Sequence, residues 1–280
     1  MTKRHPVRAL LAGLALALAG TSSAQAAAGP PEPAVQLALG DSVAAGVGAS
    51  SPEHGYVEVL NDLLTATRPC GSGQALGCRL DLVNLAVPGA TTTTLIADQL
   101  PAAVGLIAAR RATPTPVDDV RLVTIDIGGN DVFTPIITAC APDPASAGCA
   151  ATIAARLQLV ATNYDRILSA LRTAAGPDTP IAVMAYYNPL AACRLAPLSG
   201  LADLVLEGGG PVPAGLNDII RATAAAYGAT VAETAPLITT EDLVGGADCL
   251  HPDDSGHQDI ADAFVAVLDV RAVVGGPGQR

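Results

Sequence analysis

A serine follows an apolar segment near the start of the chain, in the sequence LALGDSVAAGVG, where it stands as Ser42. A serine hydroxyl is a weak nucleophile near neutral pH and needs a base within hydrogen-bond distance. His251 could accept that proton and later pass it to a leaving group. Asp248, in the same short segment DCLHP, could fix the orientation and tautomer of the imidazole. These residues predict nucleophilic catalysis, with Ser42 as nucleophile, His251 as base and Asp248 as the residue that orients the base.

Attack on an ester carbonyl creates an oxyanion, which needs hydrogen-bond donors already in place. The candidate donors are the backbone N–H groups of Ser42 and Gly89 and the side-chain amide of Asn130. One such donor contributes roughly 3–4 kcal/mol to the transition state. A glycine at position 89 lets the backbone approach the substrate closely. This chemistry needs no cofactor, and we expect none.

Five short apolar segments are the candidate strands, since runs of this kind are typical of strands that are covered on both faces. They are Val35 to Leu39, Leu80 to Ala86, Arg121 to Ile127, Pro180 to Tyr186 and, more weakly, Ala229 to Glu233. Between and after them lie five segments with apolar residues at helical spacing. These are Tyr56 to Ala66, Leu95 to Arg110, Thr152 to Ala175, Ala214 to Tyr227 and Ser255 to Val270.

Alternating strands and helices predict an α/β fold with a parallel sheet. Ligands bind such sheets outside the carboxyl ends of the strands. Ser42, Gly89 and Asn130 each follow a candidate strand, and Asp248 and His251 follow the last one. The sequence therefore places all five candidate residues along one edge of the sheet.

Four segments together resemble the SGNH (GDSL) hydrolase family: Gly40-Asp41-Ser42, Asn84 to Thr91, Gly128 to Asp131 and Asp248 to Pro252. The resemblance implies a flavodoxin-like three-layer α/β/α sandwich with a mainly parallel five-stranded sheet, no metal, and the site roles given above. The chain looks most like the secreted actinobacterial esterases and lipases of the family that have three disulfides. It departs from the family pattern at Val43, where the family has leucine.

The first 28 residues read as a signal peptide: three cations precede an apolar run from Ala9 to Gly20, and Ala24-Gln25-Ala26 is typical of a cleavage site. The alternative is a retained interfacial anchor. We expect a hydrolase domain over residues 29–272 and a flexible tail over residues 273–280. We expect no later stretch to be long and apolar enough to span a membrane, and we expect a monomer without a stable membrane anchor.

All six cysteines lie after the leader, which predicts disulfides in an exported protein. Two pairs bracket short loops, and the third follows by elimination. The predicted bridges are Cys70–Cys78, Cys140–Cys149 and Cys193–Cys249. A zinc site is not favoured, because no C-x-x-C occurs and the histidines lack ligand spacing.

The net charge of −11 disfavours a nucleic-acid partner. We expect a secreted serine esterase or lipase that acts on small-molecule or lipid esters. One alternative is a carbohydrate acetyl esterase, although a chain with no Trp, five Tyr and two Phe offers little surface for sugar stacking. A catalytically silent binding protein on the same scaffold is a second alternative. Nucleotide binding is disfavoured, because Ser51 interrupts the glycine pattern that begins at Gly46.

Several nearby polar residues have structural interpretations. Asp41 is expected to hold the first turn through backbone amides. Asp131 is expected to order its loop or cap a helix, and His257 to pack within a helix. His54 is expected at the surface. Leu195 to Pro213 is either a helix followed by a loose crossover or the wall of an acyl pocket.

Overall fold

Five parallel strands form the central sheet in the computed structural model, which describes residues 33–66, 80–112, 119–192, 194–246, 248 and 250–274. The strands are Ala34–Gly40 (β1), Leu80–Asn84 (β2), Val120–Asp126 (β3), Ile181–Ala185 (β4) and Thr230–Glu233 (β5). Their order across the sheet is β2-β1-β3-β4-β5, and every neighbouring pair is parallel. The predicted α/β/α fold with a five-stranded parallel sheet is confirmed. The predicted boundaries at residues 28 and 272 stay predictions.

Helices cover both faces of the sheet. They are Tyr56–Ala66 (α1), Thr92–Thr94 (α2), Leu100–Arg111 (α3), Gly129–Cys140 (α4), Ala147–Ala175 (α5), Ser199–Glu207 (α6), Leu216–Ala226 (α7), Asp254–Val267 (α8) and Val270–Val274 (α9). A π-helix, Leu95–Gln99, joins α2 to α3. Helix α1 packs with α8 and α9, and α5 packs with α3, α4 and α7. The two helical layers leave the central strands buried.

Strand β1 lies at the centre of the core, since β2 and β3 flank it and all seven of its residues are buried. Burial on both faces explains why its sequence is mainly apolar rather than alternating. Its one polar side chain, Gln36, donates a hydrogen bond to the Val57 carbonyl of α1. Because β1 is so tightly enclosed, the residues that follow it begin from a fixed position.

The structure corrects several predicted boundaries. Strand β2 ends at Asn84 rather than Ala86, because the Asn84 side chain accepts a hydrogen bond from the Ala86 N–H and donates one to the Ala44 carbonyl. Helix α4 was not predicted, since its Gly-Gly start and its internal Pro135 are unfavourable for a helix. Helix α5 begins earlier than predicted, at Ala147, where the Ser146 hydroxyl accepts a hydrogen bond from the N–H of Cys149.

One helical stretch, Thr92–Arg111, is long and apolar enough by length and composition to cross a membrane, with a mean hydropathy of 1.2. The prediction that no later stretch meets these criteria was therefore wrong. A core helix of a globular domain meets the same criteria. In this fold Leu95, Ala103 and Ile107 of the stretch are buried in the hydrophobic core.

The Leu195 to Pro213 segment begins with a 3-10 turn and continues as α6. The apolar face of α6 buries Ala202, Val205 and Leu206. Its far end is held in place, because Glu207 accepts hydrogen bonds from Asn217 and Arg221 of α7. The helix of the first alternative is therefore present. That this segment forms the wall of an acyl pocket stays a prediction.

Candidate active site

Ser42 lies in a tight turn directly after β1. The turn is closed by hydrogen bonds from the Ala45 N–H to the Asp41 carbonyl and from the Val47 N–H to the Ser42 carbonyl. Gly40 is required before it, since a Cβ there would lie 1.9 Å from Oδ1 of Asp126. The fold thereby presents a serine hydroxyl at the carboxyl end of a central strand.

His251 and Asp248 lie in the loop between β5 and α8, and the structure brings both to Ser42. Nε2 of His251 is 2.8 Å from Oγ of Ser42, and Nδ1 is 2.8 Å from Oδ2 of Asp248. A carboxylate facing Nδ1 favours the tautomer with the proton on that nitrogen, which leaves Nε2 to accept the serine proton. The three side chains therefore form a continuous hydrogen-bonded chain suited to activating the hydroxyl.

The charge of Asp248 is favoured by its surroundings. Burial alone would raise the pKa of Asp248, but hydrogen bonds from His251 and from the N–H groups of Leu250 and His251 outweigh it, and the pKa is lowered. An ionised carboxylate next to Nδ1 stabilises an imidazolium that forms when the base takes a proton.

The three predicted oxyanion donors are positioned at the same edge. In the described part of the chain, the backbone N–H groups of Ser42 and Gly89 have no hydrogen-bond acceptor. Asn130 uses one amide hydrogen to reach the Ala90 carbonyl at 3.0 Å, which leaves its second amide hydrogen available. Gly89 has a φ of +79° and nothing within 4 Å of its missing Cβ, so open space adjoins its backbone.

The neighbouring acids have structural partners. Asp131 accepts hydrogen bonds from the N–H and the hydroxyl of Thr92, both at 2.7 Å, and so holds the start of α2. Asp41 accepts a hydrogen bond from the Val43 N–H at 3.0 Å. Both residues order their loops, as expected from the sequence.

Sequence reasoning missed a set of buried polar residues beneath Ser42. The Tyr186 hydroxyl donates to Oδ2 of Asp41 at 2.7 Å. Asp126, at the end of β3, accepts hydrogen bonds from the Ala44 N–H and the Tyr56 hydroxyl. The side chain of Gln99 pairs with both backbone groups of Gly40. The only sequence signal was the acid Asp126 near the end of the mainly apolar segment RLVTIDI.

Two hydrogen bonds from outside its tip hold the described residues of the loop that carries His251. The Tyr187 hydroxyl donates to the Leu250 carbonyl at 2.9 Å, and the Val244 N–H donates to the His251 carbonyl. The two loops touch at Gly48, where a Cβ would lie 2.1 Å from the Pro252 carbonyl oxygen. Gly48 thus allows the turn that carries Ser42 (the candidate nucleophile turn) and the loop that carries His251 (the candidate base loop) to approach each other closely.

The other histidines differ in their surroundings. His257 is buried in α8, where Nδ1 accepts from the Tyr56 N–H and Nε2 donates to the Val47 carbonyl. Burial lowers the pKa of His257, which favours its neutral form. His54 lies at the surface with Ser50 and Asp254, as a second serine, histidine and aspartate cluster. Its serine and carboxylate both contact Nδ1, so no proton relay through the ring exists there.

One predicted disulfide is present, between Cys140 at the end of α4 and Cys149 in α5. Of the other predicted pairs, Cys70, Cys78, Cys193 and Cys249 lie outside the described residues. Within the described ranges, no group of three or more His, Cys, Asp or Glu side chains is arranged to hold a metal ion.

Comparison with known proteins points to one family. The sequence model of the GDSL-like Lipase/Acylhydrolase family matches residues 38–258, which include all the candidate site residues. No curated protein sequence shows significant similarity to the chain.

Solved structures share the fold. An extracellular lipase from Streptomyces rimosus superposes with a TM-score of 0.55 at 20% identity, covering 84% of this chain and 100% of its own. Phospholipase A1 from Streptomyces albidoflavus NA297 gives a TM-score of 0.54 at 21% identity, with coverages of 84% and 100%. An acetylxylan esterase from Geobacillus stearothermophilus gives 0.54 at 17% identity, with coverages of 88% and 95%.

Proposed function

Because this chain belongs to the GDSL-like lipase/acylhydrolase family, we propose that it is a secreted serine hydrolase that cleaves carboxylic esters through an acyl-serine intermediate. The observation that carries the proposal is the chain of short contacts from Ser42 through His251 to Asp248. A hydroxyl, an imidazole and a carboxylate in that order are suited to nucleophilic acyl transfer.

In the first half-reaction, Oγ of Ser42 attacks the ester carbonyl carbon while Nε2 of His251 takes the serine proton. The carbonyl oxygen becomes an oxyanion that accepts hydrogen bonds from the N–H groups of Ser42 and Gly89 and from the Asn130 amide. When the carbon–oxygen bond to the alcohol breaks, His251 gives its proton to the departing alkoxide. The product alcohol leaves, and the acyl group remains on Ser42.

In the second half-reaction, a water molecule gives a proton to His251 and attacks the acyl carbon. The same donors stabilise the second oxyanion. The bond to Oγ then breaks, the proton returns to Ser42, and the carboxylic acid leaves. Asp248 keeps the imidazole oriented through both proton transfers.

Covalent labelling tests the nucleophile directly. A fluorophosphonate probe should label the wild-type protein and the Ser50→Ala variant, but not Ser42→Ala. Ser50 is a matched control, because it also contacts a histidine and an aspartate but lacks a relay through the ring. A folded wild type that is not labelled would favour the silent binding scaffold and reject the proposed mechanism.

The substrate class is proposed from composition and likeness. A chain with few aromatic residues favours lipid-like or simple esters over sugar polymers, and solved structures of similar fold include a lipase and a phospholipase A1. The acetylxylan esterase of the same fold supports the carbohydrate esterase as the second candidate. Rates on esters from acetate to palmitate, measured beside acetylated xylan, separate them. A preference for the acetylated sugar would reverse the order.

Export is proposed from the leader over residues 1–28. The Cys140–Cys149 disulfide and the extracellular lipase of similar fold support this proposal. Expression of the full chain in an actinobacterial host tests it. The protein in the medium should begin at Ala27 or Gly29, and an intact Met1 terminus retained with the cells would contradict the proposal.

A further inference from the structure

Two aspartates lie side by side beneath the turn that carries Ser42. Asp41 is 2% exposed and Asp126 is 0% exposed, although neither belongs to the serine, histidine and aspartate chain. Their carboxyl groups lie close together, since they accept hydrogen bonds from the N–H groups of the consecutive residues Val43 and Ala44. Two adjacent carboxylates repel each other where water cannot screen them, and a proton on one of the two groups removes that repulsion.

The pair also holds the backbone of the turn. Asp41 accepts the Val43 N–H at 3.0 Å, and Asp126 accepts the Ala44 N–H at 3.1 Å. These are the two N–H groups that directly follow Ser42. The carboxyl pair therefore fixes the direction of the turn, while the N–H of Ser42 itself stays available for an oxyanion.

The groups around the pair do not neutralise a second negative charge. No lysine or arginine in the part of the chain described by the structure forms an ion pair with either carboxyl. Burial and the charge of Asp41 raise the pKa of Asp126 well above its usual value. The titratable groups that face the pair come from α1, α5, the end of β4 and the base loop; they are Tyr56, Tyr164, Tyr186, Tyr187 and His251. Burial raises the pKa of each of these tyrosines well above 10, so their hydroxyls stay neutral.

We propose that Asp126 is a positioning residue for the nucleophile: it holds a proton at neutral pH, shares it with Asp41, and thereby keeps the Ser42 turn in its reactive geometry. Loss of that proton places two negative charges in contact beneath the turn and displaces Ser42 from His251. The inference deepens the proposed function, since it rests on Ser42 as nucleophile. It follows that activity falls at alkaline pH when Asp126, which lies outside the chain of Ser42, His251 and Asp248, loses its proton.

The pair also makes stability depend on pH, with a defined sign. When folding raises the pKa of a carboxyl group, the folded state binds more protons than the unfolded state at pH values above the group's usual pKa of 3.8. The free energy of unfolding therefore falls as the pH rises from that value toward the raised pKa. A neutral amide at position 126 removes this loss, so its stability relative to wild type should increase with pH.

A comparison of Asp126→Asn with Asp126→Ala tests whether the residue at position 126 must donate a hydrogen bond to Asp41. Asparagine can donate to Asp41 and accept from the Ala44 N–H, as a protonated aspartate does, whereas alanine can do neither. Asp126→Asn should keep kcat within about tenfold of wild type at neutral pH and lose the alkaline limb. Asp126→Ala should lower kcat about 100-fold, the size expected for a small misplacement of a reacting group. Asp62→Asn, an exposed aspartate of α1, is the control that should leave the pH profile unchanged.

Three results would overturn the inference. One is an Asp126→Asn variant that keeps the wild-type alkaline limb, and another is a folded Asp126→Asn variant as inactive as Asp126→Ala at every pH. The third result would come from the wild-type protein and needs no variant. Carbon-13 NMR with labelled aspartate carboxyl groups should show one carboxyl group that stays protonated at neutral pH. Absence of that signal rejects the shared proton. Because this measurement does not use activity, it remains informative if fluorophosphonate labelling rejects the proposed function.

Discussion

The turn that carries Ser42 and the loop that carries His251 meet in one site but are held in place differently. The nucleophile turn rests on buried polar groups: Asp41 and Asp126 are almost fully enclosed, and Gln99 binds both backbone groups of Gly40. The base loop lies at the surface. The Asp248 side chain is 41% exposed, and Leu250 is 42% exposed.

The loss of a hydrogen-bond partner should therefore have different effects on stability and activity in the two regions. A buried polar group that loses its partner keeps the full cost of its lost hydration, so damage on the nucleophile side should lower stability as well as activity. Water replaces lost hydrogen-bond partners at an exposed loop, so removal of a hydrogen-bonding side chain on the base side should lower activity with little effect on stability.

Removal of the base should have the largest effect and leave stability unchanged. His251→Ala should lower kcat on the order of 10⁵–10⁶-fold, and Asp248→Asn on the order of 10⁴-fold, because the base then loses only its orientation. Steady-state kinetics on a short-chain ester and thermal unfolding measure the two quantities. His54→Ala, at the surface cluster, is the control that should keep full activity. A large drop in the melting temperature of His251→Ala would contradict the contrast.

The predicted Cys193–Cys249 bridge would give the base loop a covalent support. Closing a loop of roughly 60 residues contributes about 4 kcal/mol in the chain-entropy model. The double variant Cys193→Ala/Cys249→Ala should therefore unfold at a lower denaturant concentration and lose activity. If its activity and melting temperature match wild type, no bridge braces the loop, and the base side depends on hydrogen bonds alone.

Tyr186→Phe should damage the nucleophile side mainly through stability. It removes the hydroxyl that donates to Asp41 at 2.7 Å and leaves a buried carboxyl oxygen without that partner. The free energy of unfolding should fall by about 1–3 kcal/mol. Chemical denaturation measures it, with Tyr227→Phe as the control, since the hydroxyl of Tyr227 makes an exposed contact with Asp165. Equal stability of the two variants would show that the buried contact is not required.

Tyr187→Phe should damage the base side mainly through rate. It removes the hydroxyl that holds the Leu250 carbonyl next to His251. A small displacement of the imidazole should lower kcat roughly tenfold and leave KM unchanged. Stability should fall less than in Tyr186→Phe. The contrast fails if Tyr187→Phe keeps its kcat and loses more stability than its neighbour.

The pH dependence of stability should have opposite signs on the two sides. Hydrogen bonds to His251 and to nearby backbone amides lower the pKa of Asp248 in spite of its partial burial. Its contribution is therefore present above the usual value of 3.8 and is lost as the pH falls through the lowered pKa. Asp248→Asn should be less stable than wild type by under about 1 kcal/mol above that value, since the pair is exposed. Unfolding curves between pH 3 and pH 7 should show this difference in the free energy of unfolding shrinking as the pH falls. The stability of Asp126→Asn relative to wild type should instead decrease as the pH falls.

Local features of the sequence account for what could be predicted. Continuous apolar segments fix strands that are buried on both faces, and the parallel arrangement sends every carboxyl end to one edge. Ser42, Gly89, Asn130, Asp248 and His251 all follow such ends, so their convergence could be expected without coordinates. The start of α4 could not, because Gly128 and Gly129 also suit a loop, and the helix depends on tertiary packing in the core and against α5.

The sequence by itself determined the order of strands and helices, the loops that meet at the sheet edge and the residue types able to perform acyl transfer, because each depends on neighbours in the chain. Tertiary structure alone decided which buried groups support them. Asp126 and Asp41 are 85 positions apart in the chain yet share one enclosed site, since Gly40 pairs with Asp126 across β1 and β3. Tyr186 and Tyr187 are adjacent in sequence but contact opposite sides of the site. Such partners are set by how strands pair and helices pack, and no local pattern records them.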